Sequence, residues 1–206
     1  MFFLSIKEKI LIRSFIVFYC GFTMTNEIVT YFEKERNPLP LSYIAKSILD
    51  LKTIIAAINP RATEEVIRGI LRAAKKKQAV VIFELALSEM SLSGGYTGYT
   101  PKTFAERVHS AAKKEKWFAY ALHADHVTVK EGTEEEIEKV KKELIARIDA
   151  GFTGYAIDTS FLYNKGASDV KGQLKDIIDK GLIFFDLLKE KMNGNSYGIE
   201  GEIGEI

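Results

Sequence analysis

The chain has little of several features that would mark a specialised class of protein. Its single cysteine, Cys20, excludes an internal disulfide framework and fits a reducing compartment, so we expect a cytoplasmic protein. Lys plus Arg number 29 and Asp plus Glu 28, and this balance offers no net charge for binding nucleic acid. The 206 residues are enough for a domain with its own hydrophobic core.

The N-terminal region has an apolar segment but no clear targeting signal. Residues 10–22 (ILIRSFIVFYCGF) are interrupted by Arg13 and are too short to span a bilayer. No small-residue cleavage site follows them, although secretion stays open as an alternative. We expect residues 1–23 to be an N-terminal appendage or a helix packed on the body. The main domain then covers residues 24–206, and Met24 is an alternative start because the pattern becomes regular only after it.

From residue 50 onward, short apolar runs alternate with longer amphipathic ones. The apolar runs predict five strands, at residues 52–59, 79–87, 117–125, 153–161 and 196–204. A predicted helix follows each of the first four strands, and the start signals of these helices are Thr63, Thr100, Thr133 and Ser168. The last predicted helix runs through Leu174, Ile177, Ile178, Phe185 and Leu188. This βα order implies a parallel sheet with right-handed crossovers.

Two folds have this order of elements, a doubly wound open sheet and a TIM barrel. The first strand leads into INPRAT (58–63) and not into G-x-G-x-x-G, which disfavours a dinucleotide-binding fold. The glycine-rich stretch SLSGGYTGYTP (91–101) follows the second strand and is too long for a structural turn. TIM barrels keep their sites in such loops. We therefore predict an α/β fold of the TIM-barrel type that comprises the first five βα units of eight, a partial barrel.

Polar residues collect at or near the carboxyl ends of the predicted strands. These residues are Asn59, Glu84, His123, Asp125, His126, Asp158, Glu200 and Glu202. Strand ends of this kind converge on one mouth, and histidine nitrogen with carboxylate oxygen suits zinc or another divalent metal. Taken singly, each has a structural alternative: His123 as a core histidine, Asp158 as a helix N-cap, and Glu202 as a solvated terminal residue.

Three motifs in order resemble a known family. HADH (123–126), IDTS (157–160) and EGEIG (200–204) are similar to H-x-D-H, M-I-D-x-S and E-x-E-L-G of the class II, metal-dependent fructose- and tagatose-bisphosphate aldolases. In that family the motifs lie on strands three, four and five of a TIM barrel. SGGYTGYTPKTFAERV (93–108) resembles a loop and helix of the accessory, non-catalytic subunit of tagatose-bisphosphate aldolase. The resemblance runs from about Leu51 to Ile206.

The resemblance implies a zinc-dependent, reversible aldol cleavage of fructose or tagatose bisphosphate to triose phosphates, as in glycolysis. It places Asp125 on the catalytic acid/base and His126 on a ligand of the catalytic zinc. Asp158 and Glu202 fall on carboxylates that bind metal in some members. Asn59 falls on an asparagine that helps to hold substrate. His123 is the first histidine of its motif and is assigned to substrate binding, as a residue that orients its neighbours.

These residue types suit the implied chemistry. A divalent metal stabilises charge on the former carbonyl oxygen as a Lewis acid, and an adjoining carboxylate can take the proton of a hydroxyl group. The expected partners are a sugar phosphate substrate and further subunits of a homo- or hetero-oligomer. No nucleic acid or membrane partner is expected.

Two features depart from the family pattern. Family enzymes supply two further zinc-binding histidines from strands six and seven, whereas the given sequence ends at Ile206 and its third histidine, His109, lies on a predicted helix. A phosphate-contacting serine on strand two is replaced near Ala86. We therefore expect a piece of a larger barrel, a split subunit or a protein completed by partners, with no appreciable aldol cleavage by this chain alone. The alternative function is an accessory subunit that stabilises a separate catalytic aldolase.

Overall fold

The computed structural model describes residues 38–48, 54–61 and 63–202, so the predicted appendage 1–23 lies outside the described residues. No helix in these ranges is both long and apolar enough to cross a membrane. The elements are, in chain order, α1 (Leu41–Ile48), β1 (Ala56–Ile58), α2 (Glu64–Lys77), β2 (Val81–Ala86), α3 (Pro101–Glu115), β3 (Tyr120–Thr128), α4 (Glu134–Asp149), β4 (Gly154–Asp158), a 3₁₀ turn (Ser160–Leu162), α5 (Val170–Met192) and β5 (Gly198–Glu202).

The five strands form one parallel sheet in the sequential order β1-β2-β3-β4-β5. The order never reverses, which separates this fold from a doubly wound sheet with a switch point. Strands alternate with helices, as in successive βα units of a TIM barrel. The predicted α/β fold with five βα-type strands is therefore confirmed.

Helices α2 to α5 begin where local capping chemistry favours them. The predicted signals at Thr63, Thr100 and Thr133 are all N-caps whose side chains accept a backbone N–H. The last helix begins one residue later than predicted, because Asp169 and not Ser168 accepts from the Gly172 backbone N–H at 2.6 Å.

The hydrophobic core lies between the sheet and helices α2 to α5. On β2 the residues Val81, Phe83 and Leu85 are buried, while the alternate positions are only partly buried. The large apolar side chains that pack there from the helices include Ile67, Leu71, Phe104, Val108, Leu144, Phe184 and Leu188. We call the sheet face that these helices cover the outer face, and the opposite one the inner face.

Two apolar residues of α5 lie outside the core. Ile178 is 53% exposed and Phe185 is 37% exposed. The buried residues of this helix repeat at Ile177, Gly181, Phe184, Leu188 and Met192. With about 3.6 residues per turn, the two exposed residues lie roughly a quarter turn from that stripe, on a flank that the sheet does not reach.

Helix α1, which the sequence pattern did not predict, covers the inner face at the amino ends of the strands. The chain before it is bonded to the sheet, since Leu39 N donates to Tyr120 O (2.7 Å) and Leu41 N to Thr153 O (3.3 Å). The Leu41 side chain then packs on two glycines, Gly154 and Gly198, where any Cβ would collide with it. The inner face is thus closed at one end.

Candidate metal and acid–base site

The carboxyl ends of β3, β4 and β5 bring four predicted residues together. His126 Nδ1 lies 2.9 Å from Glu202 Oε1 and 3.4 Å from Asp158 Oδ2. On the other side of the same ring, Nε2 lies 3.8 Å from Asp125 Oδ1. Three carboxylates therefore surround one imidazole, and we call these four residues the edge cluster.

A β-bulge in β3 explains how two consecutive residues can both face the edge cluster. Along a regular strand, neighbouring side chains point to opposite faces. Between Ala124 and Val127 the pairing with β4 shifts by one residue, and His126 takes a left-handed backbone conformation with φ of 41°. The sequence pattern ended this strand at Asp125, but it continues to Thr128. Asp125 and His126 therefore reach the edge cluster from within a bulged strand, and not from a loop that follows the strand.

Asp158 is the most firmly held of the three carboxylates. Its Oδ1 accepts from Ser160 N (3.1 Å) and Ser160 Oγ (2.6 Å), and its Oδ2 accepts from Thr128 Oγ1 (3.4 Å). Its side chain is only 5% exposed, whereas that of His126 is 50% exposed. The buried carboxylate is thus oriented by its neighbours, with Oδ2 directed at the imidazole.

A second group of polar residues lies deeper on the inner face. Glu84 of β2 pairs in register with His123 of β3. Each of these two residues and Asp125 offers one atom that could bind a metal, and the three atoms lie within 4.8 Å of one another. The buried His123 ring also lies near Glu200 of β5, with 3.5 Å between Nε2 and Oε2, while its Nδ1 faces the Gly154 backbone without a hydrogen bond of normal geometry. Asp125 thus connects the edge cluster with this deeper group.

Electrostatic interactions shift the pKa values of both groups. Burial, then repulsion by Asp125 and Glu200, raises the pKa of Glu84 to about 7. Burial lowers the pKa of His123, and the nearby carboxylates offset this only in part. Burial alone would also lower the pKa of His126, but the three carboxylates around it outweigh burial and raise it.

The remaining predicted residue, Asn59, ends β1 at the same edge but bonds to a different partner. Its Nδ2 donates to Glu89 Oε2 (2.5 Å), and its Oδ1 accepts from Arg61 N (3.0 Å). The buried Glu89 also accepts hydrogen bonds from Ala86 N and from the Tyr96 hydroxyl. Asn59 is therefore tied to the loop after β2 and not to the edge cluster.

The glycine-rich loop after β2 is a folded structure anchored to α4. Gly95 has a φ of 51° and lies so close to Glu89 that a Cβ would overlap the Glu89 carbonyl group. From α4, Glu143 accepts the Leu92 N–H (3.0 Å to Oε1) and Arg147 Nη2 donates to Met90 O (2.6 Å). The buried Glu143–Arg147 ion pair thus holds the loop on α4, and the buried Glu89 holds it from within.

A partial signal in the sequence marks the residues that were assigned no role. Glu84 lies inside an otherwise apolar strand, where a charged residue is rare, and this position is a usable signal. Glu200 is found in the same way within β5. Glu89 lies in a loop, where glutamates are common, so its buried position could not be read from the sequence pattern.

The edge cluster has the donor chemistry of a divalent cation site. Asp125, His126 and Glu202 each offer one ligand atom, and these three atoms lie within 4.8 Å of one another. Asp158 Oδ2 lies 3.4 Å from His126 Nδ1 and adds a further carboxylate oxygen. Imidazole suits zinc, and carboxylate oxygen suits zinc, manganese or magnesium. The residues present therefore fit a divalent metal.

Sequential parallel βα units with a histidine–carboxylate cluster at their carboxyl ends define a chain of the (βα)-barrel class. The chain belongs to the family described as D-tagatose-1,6-bisphosphate aldolase subunit GatZ/KbaZ-like, whose model matches residues 46–178. This match confirms the resemblance drawn from the three motifs and the glycine-rich loop. The protein is accordingly related to tagatose-bisphosphate aldolase.

Individual relatives match parts of the chain. Over 101 residues it is 32% identical to the D-tagatose 6-phosphate 4-epimerase of Agrobacterium fabrum. The aligned region covers 46% of this chain and 24% of that protein. The fold is similar to a probable tagatose 6 phosphate kinase from Sinorhizobium meliloti 1021, with a TM-score of 0.57 and 22% identity over 74% of this chain and 40% of that chain. The chain spans less than half the length of these two relatives.

Proposed function

We propose that the edge cluster binds a divalent cation, zinc by the family resemblance, through His126, Asp158 and Glu202. In this proposal Asp125 is the acid/base of an aldol reaction on a ketose phosphate. The observation that carries it is the position of the His126 ring, with Glu202 at 2.9 Å from one nitrogen and Asp125 at 3.8 Å from the other. The proposed metal residues and the proposed acid/base are thus side by side.

The chemistry of aldol cleavage explains why both are needed. A divalent cation held by His126, Asp158 and Glu202 would supply a positive charge against the negative charge that develops on the substrate carbonyl oxygen. Asp125 takes the proton from the hydroxyl group on the carbon across that bond. Below them, the buried His123 is proposed to orient Asp125 and the substrate. Asn59 is proposed to act on the substrate through the loop it holds with Glu89, because both ends of its amide already have partners.

The names of the relatives favour tagatose phosphates over fructose phosphates as the substrate class. The family description refers to a tagatose-bisphosphate aldolase subunit, and the Agrobacterium fabrum relative acts on tagatose 6-phosphate. We propose that this chain works on a sugar phosphate of that class, within a homo- or hetero-oligomer.

An accessory role is the second candidate. The glycine-rich loop carries the resemblance to a non-catalytic subunit, and the matching family is described as that of an aldolase subunit. In this case the chain would bind and stabilise a separate catalytic aldolase. The anchored loop would then serve protein contact instead of substrate binding.

Zinc titration of the chain by calorimetry tests the metal site. Wild-type chain is expected to bind zinc weakly, and His126→Ala to bind it about 10- to 100-fold more weakly still, because the only imidazole in the edge cluster is lost. His109→Gln, which changes a histidine on α3 whose ring lies 3.2 Å from the Tyr120 hydroxyl, is the matched control and should bind like wild type. Equal affinity in His126→Ala would show that the site is misplaced.

A coupled assay for triose phosphate release separates the two candidate functions. The chain alone is expected to release little from tagatose bisphosphate, even with zinc. With the catalytic subunit of a tagatose-bisphosphate aldolase added, turnover that falls about 100-fold or more in Asp125→Asn supports an acid/base role. Turnover that rises equally with wild type and with Asp125→Asn supports the accessory role.

A further inference from the structure

The inner face carries more negative charge than the proposed roles explain. Five carboxylate side chains lie on it, those of Glu84, Asp125, Asp158, Glu200 and Glu202. Among the described residues, no lysine or arginine forms an ion pair with any of them, and the ionic contacts are with His123 and His126 alone. Five ionised carboxylates and one divalent cation would carry a net charge of −3, so a carboxyl group that keeps its proton reduces the repulsion among them.

Glu84 is the carboxyl group best placed to keep a proton. It is partly buried on β2, and its carboxylate lies within 4.8 Å of an Asp125 oxygen and a His123 nitrogen. The other charged groups that face it are Glu200 from β5, His126 from the bulge and Glu89 from the loop after β2. Burial and the three neighbouring carboxylates favour its neutral form, and only the interaction with His126 opposes them.

Proton balance in the proposed reaction calls for a second transfer group. Cleavage removes one proton from a hydroxyl oxygen and breaks a carbon–carbon bond. The electron pair of that bond passes into the carbonyl half of the substrate, whose carbon must then gain a proton. Asp125 accounts for the first proton only, because as the base of that step it accepts a proton and has none to donate.

We propose that Glu84 is this second proton-transfer residue, which donates its carboxyl proton to the carbon next to the substrate carbonyl. The assignment rests on the proposed aldol function. After both transfers Asp125 holds a proton and Glu84 is a carboxylate, so one proton passing from Asp125 to Glu84 restores the starting state. The two carboxyl groups lie close enough for this transfer directly or through one water. His123 lies between these two carboxyl groups and Glu200, and it holds the two carboxyl groups in position.

Hydrogen exchange on a triose phosphate tests the assignment without requiring complete cleavage. The full 206-residue chain is incubated with zinc and dihydroxyacetone phosphate in deuterium oxide, and proton NMR follows loss of the C–H signal next to the carbonyl. By microscopic reversibility, the group that protonates this carbon in cleavage also removes its proton in exchange. Glu84→Gln should therefore slow exchange by about 100-fold or more. Asp125→Asn, which affects the hydroxyl step, should change it by less than about 3-fold.

The controls separate this inference from the proposed function. Glu138→Gln, at an exposed glutamate of α4, should exchange like wild type. Glu84→Gln should bind zinc like wild type in calorimetry, and carboxyl ¹³C NMR of the metal-free chain should give Glu84 a midpoint of about 7. Exchange that persists in Glu84→Gln, a Glu84 midpoint near 4.5, or no exchange in zinc-loaded wild type would overturn the assignment. Failure of the metal site itself would instead appear as absent zinc binding by wild type.

Discussion

Replacing Arg147 by methionine should destabilise the protein and release the glycine-rich loop. Arg147 is fully buried in α4. Its guanidinium donates to Met90 O (2.6 Å), to Glu143 O (2.9 Å) and to Glu143 Oε2 (2.9 Å). Methionine keeps most of the aliphatic stem, so the substitution removes the charge and these bonds without opening a large cavity.

The expected cost follows from what is left behind. Among the described residues, the Glu143 carboxylate keeps only the Leu92 N–H as a hydrogen-bond donor and becomes a buried charge without a counterion. Breaking a buried ion pair in this way costs about 3–5 kcal/mol of unfolding free energy. Arg147 Nε has no hydrogen-bond partner among the described residues, so a value toward the lower end is expected. The double variant Glu143→Gln, Arg147→Met should recover about half of the loss, because no unpaired charge stays buried.

Urea unfolding followed by circular dichroism measures the free energy of unfolding. Amide hydrogen exchange at residues 90–99 measures how readily the loop opens. Both should change together in Arg147→Met, and the urea slope should stay the same. A loss below about 1 kcal/mol, or a loop that exchanges as slowly as in wild type, would refute the view that this ion pair anchors the loop.

Three further changes probe packing and charge. Gly154→Ala should cost about 2–4 kcal/mol, because its Cβ would overlap Leu41, whereas Gly201→Ala has open space and should cost less than about 1 kcal/mol; thermal melts compare them. Gly95→Ala should cost about 2 kcal/mol more than Gly98→Ala in urea unfolding, since both have positive φ but only Gly95 meets backbone atoms. Glu84→Gln should stabilise the metal-free chain near pH 8 by about 1–2 kcal/mol and have little effect near pH 5. The sign follows because the raised pKa of about 7 makes the charged form costly as pH rises above the ordinary value of 4.5, and chemical denaturation at the two pH values checks it.

Periodicity and capping predicted the order and type of the main elements because these depend on local chemistry. Thr63, Thr100 and Thr133 begin helices for reasons contained within a few residues of sequence. Helix α1 was missed because its role depends on packing against Gly154 and Gly198, which lie far along the chain. The exposure of Ile178 on α5 could not be predicted, because apolar character alone does not tell which side of the helix the sheet contacts.

The position of the candidate site could be predicted from the sequence, but the contacts among its residues could not. Convergence of Asp125, Asp158 and Glu202 follows from parallel strands sharing one edge. The bulge at His126 and the capture of Asn59 by Glu89 could not be predicted, because neither a register shift nor a long-range hydrogen bond leaves a periodic trace in the sequence.

The bulge in β3 also bears on how such a protein could gain or lose chemistry during evolution. It adds one residue to the strand, and the register on either side is regular, with Ala124 opposite Tyr155 and Val127 opposite Ile157. Deleting the His126 codon would therefore leave the flanking side chains on their present faces, in a strand with ordinary alternation. A single in-frame deletion could remove the imidazole and spare the scaffold, so a catalytic ancestor and a purely supportive descendant can be one codon apart.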